Sequence, residues 1–129
     1  MVEKGRHRAE AHAALDRTEL ALTDYEHALT IEPKQPLVLA GRAILHYEAG
    51  RLRESIDDLD AALELAPDLG ELYQNRAVAL REIGHSDQAA HDLRTYLELC
   101  PAAEDRGEVE ASLSELIAAR TDSLDPDQR

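Results

Sequence analysis

A chain of 129 residues with 43% hydrophobic content has enough apolar material for one folded domain. Its formal net charge of -13 argues against a nucleic-acid backbone or an anionic membrane as partner, because both repel an acidic surface. Acidic side chains outnumber basic ones in each of the segments 1–35, 36–69, 70–103 and 104–129, so no local basic patch reverses that exclusion.

Aromatic content is 3%, with neither Phe nor Trp, so the core is expected to be Leu, Ala, Val and Ile with Tyr25, Tyr47, Tyr73 and Tyr96 as its only large rings. Strand-type alternation is missing and helix formers dominate, which makes the chain all-α. Cys100 is the single cysteine and permits no intrachain disulfide. The opening MVEKGRHRAE lacks a signal-peptide core, and no stretch approaches the roughly 18 apolar residues of a membrane span. A cytoplasmic protein is expected. Lysine occurs only as Lys4 and Lys34 against a majority of arginine, a usage associated with GC-rich bacterial genomes.

A 34-residue step runs through the chain: Gly50 to Gly84, Pro33 to Pro67 to Pro101, Ala9 to Ala43 to Ala77, and Leu29 to Leu63 to Leu97. A period of this size marks a helical solenoid, in which one unit cannot bury its apolar face without a neighbour. It predicts three hairpins at residues 2–35, 36–69 and 70–103.

In the first hairpin, the opening helix EKGRHRAEAHAAL is the weakest, since its apolar content is mainly Ala and Gly5 costs about 1 kcal/mol against Ala. Its second helix, Thr18–Ile31, carries the stripe Leu20, Ala21, Tyr25, Ala28 and Leu29, and Pro33 and Pro36 stop it. The second hairpin is predicted as helices Leu37–Ala49 and Leu52–Leu65, with Gly50 as the left-handed residue at the bend. Leu52, Ile56, Leu59, Ala62 and Leu63 form the inner stripe, and Asp57, Asp58 and Asp60 are expected in solvent. The third hairpin repeats this with Glu71–Ile83 and Ser86–Leu99, Ser86 serving as N-cap. Residues 104–120 then read as an amphipathic capping helix through Val109, Leu113, Leu116 and Ile117. The tail 121–129 is expected to be disordered.

The step, the small residues Ala43 and Ala77, and the bend glycines resemble the tetratricopeptide repeat (TPR) family. Ala21, Ser55 and Ala89 fall on that family's small residue in the second helix, Tyr25, Leu59 and Leu93 on its bulky one, and Pro33, Pro67 and Pro101 on its terminal proline. Arg8, Arg42 and Arg76 stand where many members have Leu, and the aromatic usual near a repeat's start occurs only as Tyr73. The resemblance implies a right-handed superhelix whose concave face, lined by the first helix of each hairpin, holds a peptide or helix of a partner protein.

Helical spacing on that face selects Arg6, Glu10, Leu37, Ile44, Tyr47, Glu48, Glu71, Asn75, Val78, Arg81 and Glu82 as a candidate groove. Its centre is apolar and its rim largely acidic, so it favours an apolar segment with basic flanks. Ile44 and Val78 could instead pack against adjacent helices. One subset of the family binds acidic chaperone tails through a carboxylate clamp of Lys, Asn, Asn, Lys and Arg. The matching places are Arg6, Glu10, Gly41, Glu71 and Asn75, and two carboxylates there would repel the ligand.

His12 and His46 lie one step apart without further ligands at helical spacing, so no metal or other cofactor is expected. No phosphate loop or activated nucleophile is present in the sequence, and the chain reads as a binding module, not an enzyme. A self-associating protein, with a second copy completing the groove or the cap as a homodimer, is the alternative.

Overall fold

The computed structural model describes residues 17–123, which form six helices and no strand. They are α1 (Thr18–Ile31), α2 (Pro36–Glu48), α3 (Leu52–Leu65), α4 (Gly70–Glu82), α5 (Ser86–Leu99) and α6 (Arg106–Ser123). The fold class is an all-α helical repeat. Among the described residues, no helix is long and apolar enough to cross a membrane. The expected first helix, with Arg6, Arg8, Glu10 and His12, lies outside the described residues. The chain divides into two compact units, Met1–Pro67 and Asp68–Arg129.

Two kinds of chain break alternate, and local chemistry fixes each. Inside a hairpin, α2 ends at Gly50 (φ 78°) and α4 at Gly84 (φ 88°), a left-handed conformation that glycine adopts without a Cβ penalty. The Arg51 N–H then donates to the His46 carbonyl at 2.8 Å and the Gly50 N–H to Tyr47 at 3.0 Å. His85 to Leu80 and Gly84 to Arg81 repeat the arrangement at 2.8 and 3.1 Å. This double bond back onto the last turn is the Schellman motif, which satisfies carbonyls the helix leaves open. Between hairpins the ends leave the helical region without a left-handed residue. Glu32, Ala66 and Cys100 have φ between -127° and -141°, each just before a proline that excludes the helical conformation from its predecessor.

In the first unit α1 packs on α2 and α2 on α3. Ala21, Leu22, Tyr25, Ala28, Val38 and Leu45 form one buried cluster, with Leu29 against it. Leu20 is half exposed, contrary to the expected stripe: Ala21 and Ala28 set the stripe's direction, and Leu20 lies well off it while Leu22 and Tyr25 flank it. Ala43 on α2 and Ala62 on α3 are both fully buried, as close helix approach requires. In the second unit α4 packs on α5 and α5 on α6, burying Leu72, Ala77, Leu80, Ala89, Leu93 and Tyr96. Gly70 is also buried. A Cβ there would stand 2.5 Å from the Cys100 Sγ, so the two residues share one space.

The second and third hairpins each hold a buried ion pair. Asp58 is buried at 6% exposure, not in solvent with Asp57 and Asp60, because Ser55, Asp58, Leu59 and Ala62 share the inner face of α3. Arg42 Nε and Nη2 donate to its two oxygens at 2.8 and 2.7 Å. The hydrogen bond to Asp58 holds the Arg42 guanidinium above its ordinary pKa, more than burial lowers it. One 34-residue step later, Arg76 Nε and Nη2 donate to the Asp92 oxygens, both at 2.8 Å, with Asp92 2% exposed. The bidentate fork satisfies both oxygens of a carboxylate at once.

Three further features differ from expectation. His85, not Ser86, occupies the N-cap of α5 and no side chain caps that end. The cap helix α6 runs from Arg106 to Ser123, so residues 121–123 are helical; 124–129 lie outside the described residues. Along α6, Val109 and Leu116 are buried while Ile117 is 44% exposed, because the face turned to α5 centres on the seven-residue pair.

The turn before α6 is tied to the third hairpin by one carboxylate. Asp105 Oδ1 accepts from the Tyr96 hydroxyl at 2.6 Å and Oδ2 from Gln74 Nε2 at 2.7 Å. Hydrogen bonding to Asp105, then burial, push the Tyr96 phenol up to about 12. Tyr96 and then Gln74 hold the Asp105 carboxyl below its ordinary value.

Three outcomes are expected. Ala43→Leu and Ala77→Leu should each lose about 1–3 kcal/mol, because added methylenes have no room between close helices; urea melts showing no loss would contradict this packing. Arg76→Met, leaving Asp92 buried without its partner, should cost toward the low end of about 3–5 kcal/mol. The double change Arg76→Met with Asp92→Leu should recover most of it, and equal melts for single and double variants would argue against the pair. The third concerns pH. A phenol raised from 10.0 to about 12 contributes stability that is complete below pH 10 and is lost as pH climbs through 12. The difference in urea midpoint between wild type and Tyr96→Phe should therefore shrink across that window, and a constant difference would be inconsistent with the bond.

Candidate functional site

The candidate residues divide between the first helices of two hairpins. On α2 the buried side is Val38, Leu39, Ala43 and Leu45, which leaves Leu37 and Ile44 on the outside at 46% and 45% exposure. They lie seven positions apart, two turns along one stripe, with Gly41 between them and exposed Glu48 beyond. Tyr47 is half-buried. Ile44 therefore leaves nearly half of its surface open to water. Two large aliphatic groups in water beside a carboxylate make a short apolar strip with an acidic end.

Gly41 has a local reason. A Cβ at that position would stand 2.7 Å from the Tyr25 Cζ and hydroxyl oxygen, under the distance real Cβ atoms keep. The phenol of α1 fills the place of a side chain on α2, so no larger residue fits without moving Tyr25.

On α4 the strip is more polar. Glu71, Arg81 and Glu82 are exposed, and Asn75 and Val78 are half-buried. Val78 and Arg81 line a half-open cleft of about 50 Å³ with Ala77, Leu93, Ser112 and Leu116. The sequence pattern did not join Val78 to α6, because no repeat-to-repeat step relates residues 104–123 to the hairpins. Arg6 and Glu10 lie outside the described residues.

Electrostatically, both faces are more acidic than residue counts imply. Arg42 and Arg76 stand on the first helices, but each is spent on a buried carboxylate, with Arg76 also 5.7 Å above the Tyr73 ring. Among the described residues no three His, Cys, Asp or Glu side chains are placed to hold a metal ion. His46 instead lies beside the Arg42–Asp58 pair, its Nε2 3.7 Å from Asp58 Oδ2 and its buried Nδ1 without a hydrogen-bond partner.

The tetratricopeptide repeat pattern matches residues 7–35 and 70–102, the first and third hairpins. No curated protein matches the chain in sequence. Solved structures do match. The first TPR domain of human RPAP3 superposes with a TM-score of 0.87 at 18% identity, covering 96% of this chain and 98% of that one. The first TPR of Spaghetti (RPAP3) bound to the HSP90 peptide SRMEEVD gives 0.84 at 17% identity, covering 91% and 93%. The type III secretion translocator chaperone SycD of Yersinia enterocolitica gives 0.87 at 13% identity, covering 93% and 86%. At such identities the likeness establishes the fold. The chain thus carries the tetratricopeptide repeat pattern in two hairpins, builds the same hairpin with α2 and α3, and has the fold of tetratricopeptide repeat domains.

Proposed function

We propose that the chain is a non-enzymatic adaptor that binds a peptide or helix of another protein through the outward faces of its first helices. TPR domains generally mediate protein–protein interaction. The observation that carries the reading is the pair Leu37 and Ile44, large aliphatic groups held in water on α2 while that helix buries its other apolar residues. On α2 Glu48 is exposed, and on α4 Glu71 and Glu82 are exposed. The occupant is therefore an apolar segment flanked by Lys or Arg, with apolar contacts giving affinity and the charges orientation and on-rate.

The chaperone-tail clamp is not the mode proposed. The RPAP3 domain is bound to SRMEEVD, an acidic peptide. At the places matching the clamp this chain has Arg6, Glu10, Gly41, Glu71 and Asn75, two of them carboxylates. Tyr25 leaves no room for an asparagine at Gly41.

Calorimetric titration separates the modes. A peptide of Leu flanked by Lys should bind more tightly than SRMEEVD, and added salt should weaken it moderately, since exposed charge pairs are worth about 0–1 kcal/mol each. The double variant Leu37→Ser with Ile44→Ser should lose about 2–3 kcal/mol of that affinity, in line with the half-exposed area the two side chains offer for burial. Tighter binding of SRMEEVD, or an unchanged affinity in the double variant, would overturn this assignment. Light scattering on the same samples addresses the homodimer: a stable dimer in which the two serines abolish association would replace the adaptor reading.

A further inference from the structure

Asp105 joins three pieces of the second unit, two through its carboxylate and one through its backbone carbonyl. Its side chain accepts from Gln74 on α4 and Tyr96 on α5, and its carbonyl accepts from the Val109 N–H at 2.9 Å in the first turn of α6. The lead-in is short, with Arg106 N–H donating to the Ala103 carbonyl at 3.2 Å, so the carboxylate and the start of α6 move as one piece.

Beyond that point α6 is held lightly. From Arg106 to Ala119 only Val109 and Leu116 are buried, whereas the shorter α4 buries Gly70, Leu72, Ala77, Ala79 and Leu80. The contact beneath α6 is not closed either. A cleft of about 50 Å³ remains between Ala77, Val78 and Leu93 on the hairpin and Ser112 and Leu116 on α6. That is room for more than one water, and unfilled space forfeits dispersion contacts on both walls. A helix with two buried side chains and a satisfied carboxylate at one end is anchored chiefly at that end.

We propose that α6 is a hinged lid, clasped by Asp105 to Tyr96 and Gln74, that covers Val78 and restricts access to the α4 face. The proposal deepens the adaptor reading and rests on it, since Val78 and Arg81 belong to the strip assigned to the partner. Loss of the clasp frees the entrance of α6 without removing an apolar contact, and opening exposes Val78, Leu93 and Ala77. An apolar–basic segment then gains that surface.

Hydrogen exchange on the full chain tests the clasp. Tyr96→Phe and Gln74→Met each delete one donor to Asp105 while keeping the size of the side chain. Each should speed exchange of the α6 amides about three- to tenfold, and in wild type and variants α6 should exchange ahead of α4 and α5 with a smaller urea dependence, as a local opening does. An α6 that exchanges with the same urea dependence as α4 and α5 opens only by global unfolding and overturns the proposal, as would unchanged α6 exchange in both variants. The gate is read by calorimetry with the Lys-flanked Leu peptide. If the lid is mostly closed in wild type, the apparent affinity rises in proportion to the open fraction, so variants that open α6 should bind several-fold more tightly. Faster α6 exchange with unchanged affinity would overturn the gate. If neither wild type nor opened variants bind, the adaptor reading fails and the gate with it, while the exchange pattern still decides the clasp.

Discussion

Taking a carboxylate out of water costs several kcal/mol, and Asp58 and Asp92 lie almost wholly out of it. What offsets that cost is geometry: in the second and third hairpins an arginine meets both oxygens at 2.7–2.8 Å from the opposite helix. The alanines at the crossings do not supply this. Ala43 with Ala62, or Ala77 with Ala89, let two helices approach, but flat apolar surfaces of that kind tolerate sliding and rotation. A bidentate pair does not. It is satisfied at one offset, sixteen positions from Arg42 to Asp58 and from Arg76 to Asp92, and that offset fixes the register of each hairpin. In a core with few large side chains, polar specificity of this kind accompanies the apolar packing.

The pair shows where reading by residue type fails. Asp58 stands in the run Asp57, Asp58, Asp60, which looks like a solvated face, and Arg42 and Arg76 look like exceptions to a family position usually held by Leu. Yet Asp58 shares its stripe with Ser55, Leu59 and Ala62, and Asp92 shares one with Ala89, Leu93 and Tyr96. Arg8 and Asp24 carry the same spacing in the sequence. Periodicity contained the signal, and the expectation that charge means solvent concealed it.

Helix limits were far more legible. The limits of α1, α3 and α5 agree with the sequence reading to the residue, because a proline just after each end acts on its neighbour alone and needs no tertiary contact. The glycine bends are equally local. Ser86 misled because capping propensity is weak beside the position of the preceding bend, whose Schellman bonds already set where α5 starts. The candidate site was harder to read. On α2 apolar residues surround the helix, so spacing alone could not say whether Ile44 faced a neighbour or water. Val78 depends on α6, a helix outside the repeat, and the Asp105 clasp joins three elements that no period relates.

One consequence links the register device to recognition. A first helix has two sides to furnish, and this chain places the arginine on the inner one. Arg42 and Arg76 are thereby neutralised within the fold, each by a carboxylate of its own hairpin's second helix. The outer sides are left with Leu37, Ile44 and Glu48 on α2, and with Glu71, Asn75, Val78, Arg81 and Glu82 on α4. The charge available to a partner is then mainly negative, with Arg81 the exception beside the cleft. Stability and the charge of the outer face are therefore separate at this sequence position: exchanging the inner arginine for the Leu common in the family would remove the need for a buried carboxylate, and would leave the outer face as acidic as before.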